Sequence, residues 1–125
     1  MMKGKCLCGD VSFTVDGSLG RSAACHCTQC RKQSGHYWAS SSAAESDIRI
    51  SGPVKWYEAS SAAKRGFCPT CGSFLFWKAH DENALSFSLG ALEEPTGVTL
   101  ECHIFVADKG DYYEIADDLP QSEMS

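Results

Sequence analysis

Apolar and polar residues alternate with a two-residue period in several short stretches. Val11, Phe13 and Val15 interleave with Ser12, Thr14 and Asp16, the signature of a strand with one buried face. The same alternation marks Asp47 to Ile50 and, with serines between Leu85, Phe87 and Leu89, residues 84–90. Residues 4–16 therefore predict two short strands around a Gly9-Asp10 turn, with Cys6 and Cys8 on one face of the first. Val54 to Tyr57 reads as a strand, Phe74 to Trp77 as a buried one, and Val98 to Val106 as the longest strand of the chain. His36 to Ala39 reads as a strand edge, and Tyr112 to Ile115 adds a short strand. Ser40 to Ser46 and Ser60 to Ala63 read as polar loops, and the tail from Gln121 as frayed. About one helical turn is expected, at Thr28 to Lys32, ended by Ser34-Gly35. The pattern predicts a mainly β chain.

Length changes the picture little: 125 residues suit one domain, residues 1–125, with a core of its own. The net charge of −5 argues against nucleic acid or an anionic membrane as partner. No apolar run is long enough to cross a membrane, and the amino terminus lacks the apolar stretch of a secretory signal. The expected compartment is the reducing cytoplasm, where thiols stay free.

Cysteine spacing changes it a great deal. Seven of the eight cysteines fall into three tight groups: Cys6-x-Cys8, Cys25-x-Cys27-x-x-Cys30 and Cys68-x-x-Cys71. Such spacing suits metal better than four disulfides. Structural zinc takes four ligands, commonly as two cysteine pairs. Cys6, Cys8, Cys68 and Cys71 supply two, and a metal there would cross-link segments about sixty residues apart. That leaves Cys25, Cys27 and Cys30 as a trio with an open fourth position, the pattern of a catalytic zinc. Cys102, His26 or His103 could fill that position, or Cys27 and Cys30 could form a redox dithiol. Cys102 otherwise reads as a packed thiol in an apolar strand, His36 and His80 as ordinary strand or surface residues, and the aromatics as core. Arg31, directly after the third ligand, suits a substrate carboxylate. His26, between two ligands, would face away from them in an extended segment.

The motifs C-x-C-G (Cys6 to Gly9), C-H-C-x-x-C-R-K-x-S-G (Cys25 to Gly35), R-G-F-C-P-x-C-G-S (Arg65 to Ser73) and H-I-F-V (His103 to Val106) resemble those of the glutathione-dependent formaldehyde-activating enzymes. The stretch Tyr113 to Pro120 resembles that family's carboxyl-terminal segment, and the family includes the domain of centromere protein V. The resemblance implies coiled antiparallel β-sheets pinned by zinc, related to methionine sulfoxide reductase B. It implies structural zinc on Cys6, Cys8, Cys68 and Cys71 and catalytic zinc on Cys25, Cys27 and Cys30. It also implies a carbon–sulfur lyase joining glutathione to formaldehyde as S-(hydroxymethyl)glutathione.

Chemistry runs the same way. Three thiolates on Zn²⁺ leave a site with net charge −1, a weaker Lewis acid than one held by imidazoles, and soft ligands suit a fourth sulfur. With the aldehyde that the resemblance implies, the expected partners are a small-molecule thiol and a small aldehyde, neither nucleic acid nor membrane. The alternative is a zinc-stabilised binding module without catalysis.

Overall fold

The computed structural model describes residues 1–125. In chain order it forms β1 (Met2–Lys5), β2 (Ser12–Val15), β3 (Ala23–Cys25), α1 (Thr28–Ser34), β4 (Trp38–Ala44), β5 (Ile48–Ser51) and β6 (Lys55–Glu58). Then follow β7 (Ala63–Phe67), β8 (Phe74–Ala79), β9 (Ala84–Ser88) and β10 (Cys102–Ile104). The protein is mainly β, as the alternation predicts, and no helix is long and apolar enough to cross a membrane. The chain forms two compact units, residues 1–20 with 41–97, and residues 21–40 with 98–125.

In the first unit β1, β2 and β5 form an antiparallel sheet in which Phe13 stands opposite Gly4 and Ile50. A side chain on Gly4 would meet the Phe13 ring at 2.4 Å, so the missing Cβ makes room for it. Strands β6 to β9 pair in succession, with Gly66 opposite both Trp56 and Phe76, and Phe76 opposite Phe87. The inward residues Val11, Phe13, Val15, Leu75, Phe76 and Phe87 form the core. Phe13 meets Phe76 edge to face at 5.1 Å, the arrangement favoured by ring quadrupoles.

One loop expectation fails here, and a second loses its last residue, Ala63, to a strand while Ser60 to Ala62 remain loop. The serine-rich stretch Ser40 to Ser46 is mostly strand, with Ser41 and Ala43 buried. Its polarity conceals this, because the Ser41 hydroxyl donates to the Gly20 carbonyl at 3.1 Å and the Gly20 amide donates to Ser42 at 2.7 Å. Satisfied hydroxyls can be buried cheaply. Ala63 likewise opens β7, which then carries Arg65 and Gly66 inward before a bulge at Gly66/Phe67 re-aims the chain toward Cys68.

Gly52 makes the turn between β5 and β6 with φ +103°, and a Cβ there would lie 2.0 Å from the Asp10 carbonyl oxygen. Gly52→Ala is expected to cost about 2–3 kcal/mol, since both the backbone region and the contact oppose it. Gly90→Ala, with nothing within 4 Å, is the control. Equal melting temperatures for the two variants would refute this.

In the second unit β3 pairs antiparallel with β4, Ala24 opposite Ala39, and parallel with β10, Ala24 opposite His103. The sheets are antiparallel as expected except for that one parallel pair, which a long connection makes possible. β10 is also shorter than the apolar run predicts, because Phe105 turns left-handed at φ +54° and ends it. Tyr112 to Ile115 forms no strand. The tail is not frayed: Ser122 and Pro120 bond the His103 backbone at 2.9 Å, and Ser122 accepts from Val106 at 3.0 Å.

Candidate functional site

Cys6 and Cys8 lie in a turn after β1, not in an extended strand as the alternation predicts. The Gly9 amide closes back on the Cys6 carbonyl at 3.2 Å, and the Gly72 amide does the same to Cys68 at 2.8 Å. Both glycines have positive φ, which lets each chain fold tightly under its sulfurs. Cys6 to Cys8 and Cys8 to Cys68 are 3.6 and 3.7 Å apart at sulfur. The edge of a zinc–thiolate tetrahedron is about 3.8 Å, from a Zn–S distance of about 2.3 Å. All four sulfurs, with Cys71, lie within 4.8 Å of one another.

Their proton affinities are set against each other. The Ser73 hydroxyl, then backbone amides, pull Cys71 down to about 5. The Asp10 amide favours the Cys8 thiolate, yet burial and the neighbouring thiols push that group up to about 12. Four thiols this close cannot all ionise unaided, and a divalent cation removes the conflict. The donor set therefore fits a metal ion, and its softness suits zinc.

The trio is built differently. Cys25 ends β3, and Cys27 caps α1 in extended geometry, its sulfur accepting the Cys30 amide at 3.3 Å. Cys30 is buried in the first turn, and Gly35 closes the helix through the Arg31 carbonyl at 2.8 Å. The helix runs for two turns rather than the single one expected. The three sulfurs lie within 4.8 Å of one another, and no fourth histidine, cysteine or carboxylate joins them. Cys102 stays half-buried on β10, outside the group. Cys27 first, then Cys30 and burial, push the Cys25 thiol far up, so the three thiols do not ionise together unaided, and their convergence could hold a cation. Arg31 packs its stem beside Gly110, and its Nε is buried without a hydrogen-bond partner.

A feature that spacing does not reveal lies beside the trio's loop. His26 is fully buried, with Nε2 2.9 Å from Nδ1 of His103 and Nδ1 bonded to the Tyr113 hydroxyl. His103 Nε2 reaches the Asp117 carboxylate oxygens at 2.9 and 3.0 Å. Burial, then His103, lower His26 to about 4. The hydrogen bond from His103, then the Leu119 amide, hold Asp117 below the usual carboxylate range. These groups line a cavity of about 430 Å³ whose wall also includes His36, Tyr37 and Glu114. His36 thus belongs to a cavity wall, not simply to a surface or strand. His80 is exposed and bonds Glu58 at 2.6 Å.

Residues 1–108 match the family of glutathione-dependent formaldehyde-activating enzymes. A Schizosaccharomyces pombe protein described as an uncharacterized lyase is 26% identical over 116 residues, covering 91% of this chain and 85% of its own. The crystal structure of a Rhodobacter sphaeroides protein superposes with a TM-score of 0.63 at 30% identity, over 78% of this chain and 91% of that one.

Proposed function

Because the chain belongs to the glutathione-dependent formaldehyde-activating enzyme family, we propose that it is a zinc-dependent carbon–sulfur lyase acting on a thiol and a small aldehyde. Family membership and the lyase-named relative support a lyase-type enzyme. The observation that carries the site assignment is the convergence of three sulfurs, from Cys25, Cys27 and Cys30, with no fourth protein ligand. Cys6, Cys8, Cys68 and Cys71 already supply a set of four sulfurs that could close around a metal ion. We assign that one to structural zinc and the three-sulfur one to catalytic zinc, within a single functional domain.

Cys25, Cys27 and Cys30 would hold the zinc, which would supply a soft position favouring the thiolate form of a substrate thiol at neutral pH. The protein does the rest. The helix cap at Cys27 and the end of β3 at Cys25 bring the three sulfurs to that position. Arg31, with its orphaned Nε, suits the carboxylate of a thiol such as glutathione. In the synthetic direction a sulfur–carbon bond forms and the carbonyl π bond breaks. The thiol proton ends on the former carbonyl oxygen, giving the S-hydroxymethyl adduct. The reverse restores thiol and aldehyde.

Glutathione and formaldehyde combine without a catalyst, so binding is the cleaner test. The metal-loaded protein is expected to bind glutathione saturably, and a glutathione analogue lacking the thiol at least tenfold more weakly. Cys27→Ser should abolish the difference while retaining the four-cysteine metal. Equal binding of the two ligands, measured by calorimetry, would eliminate a thiol at the trio and favour a binding module.

A further inference from the structure

Cys25 and Cys27 reach the three-sulfur cluster from either side of His26, which does not itself join it. Whatever restrains His26 therefore restrains the two backbone points from which those sulfurs extend. Three contacts do so. The His26 amide donates to the Ile104 carbonyl at 3.0 Å, Nε2 lies 2.9 Å from Nδ1 of His103, and Nδ1 bonds the Tyr113 hydroxyl. His26 has no exposed surface, so its ring cannot trade these partners for water. The restraint lies in the heavy-atom positions and holds whichever partner carries each proton.

The far end is anchored as well. His103 Nε2 meets both Asp117 carboxylate oxygens, at 2.9 and 3.0 Å, and the Leu119 amide donates to the same carboxylate at 3.0 Å. The His103 amide donates to the Pro120 carbonyl and its carbonyl accepts from the Ser122 amide, both at 2.9 Å. Tyr113 and Asp117 thus tie the carboxyl-terminal segment to the loop between Cys25 and Cys27. The other flank of the cluster offers less, because α1, which carries Cys30, has seven residues and little stability of its own. A loop already held in place loses less conformational entropy when it takes an ion.

We infer that His103, Tyr113 and Asp117 are positioning residues for the three-cysteine site, acting through His26 to keep Cys25 and Cys27 ready for their cation. This rests on the assignment of a metal to the trio. It adds that the site's affinity is set in part from residues that supply no sulfur.

The test titrates the zinc-loaded full chain with a chromophoric chelator at neutral pH and follows release of each zinc, with Cys27→Ser marking which release belongs to the trio. Tyr113→Phe removes one hydroxyl and keeps the ring, and Asp117→Ala removes an exposed carboxylate, so circular dichroism should show both variants folded. Each is expected to hold the trio's zinc about tenfold more weakly and to leave the four-cysteine zinc unchanged. Asp117→Asn, whose amide can still bond His103, should stay within about twofold of the wild type. Wild-type affinity at the trio in both Tyr113→Phe and Asp117→Ala would overturn the inference. So would equal weakening of the two zincs, which marks a general loss of stability. A wild-type chain that takes up one zinc instead of two is a different result, and it removes the metal assignment and the inference together.

Discussion

Cys68→Ser is expected to release one metal equivalent and to unfold the first unit at ordinary temperature. Cys68 is wholly buried, and its backbone closes the second knuckle through Gly72 and Ser73. A serine hydroxyl is a hard, protonated oxygen and a poor exchange for a thiolate on a soft-ligand metal. A structural zinc contributes about 10–16 kcal/mol to folding, which matches or exceeds the whole stability of a typical domain, about 5–15 kcal/mol. A metal held there would also join Cys8 to a residue sixty positions away, so its loss would free a long loop. Circular dichroism and metal analysis of the purified variant decide the matter. A variant that melts with the wild type and keeps its metal would show that these sulfurs do not hold the fold.

Phe76→Ala should cost about 3–5 kcal/mol. Phe76 has no exposed surface and lies in the middle of β8, opposite Gly66 on one side and Phe87 on the other. Its ring stands edge to face with Phe13 at 5.1 Å and tilted against Trp56 at 6.1 Å. Neighbours fixed in strands cannot collapse into the space the ring leaves, so a cavity term adds to the lost transfer energy. Urea unfolding at fixed zinc concentration measures this. A loss below about 1 kcal/mol would mean that the β-meander repacks freely, against the rigid core described above.

The parts legible in the sequence are local. Val11, Phe13 and Val15 announce a half-buried strand within five residues, and the cysteine pairs announce knuckles within four. The cavity was not legible, because its bonds join residues 77 and 87 positions apart, across a parallel strand pair that no spacing signals. His26 and His103 look like any two histidines until β3 and β10 lie side by side. Ser41 misleads in the opposite sense: a serine reads as loop, yet one whose hydroxyl meets the Gly20 carbonyl can face inward. The run from Val98 to Val106 misleads through apolarity alone, since hydrophobic residues do not stop Phe105 from turning left-handed.

The sulfur of Cys27 caps α1 and is also one of the three that converge. A seven-residue helix has little stability of its own in water, so its order and the cluster's occupancy draw on the same free energy. The affinity of the trio for a cation therefore contains the cost of winding this helix, and any solvent or neighbour that unwinds it acts as a competitor for the ion. Protons do the same from the other side, by occupying the capping sulfur. With a cation on the trio, helix, proton and metal would form a single three-way equilibrium, and the loop would be as much a sensor of its cation as a holder of it.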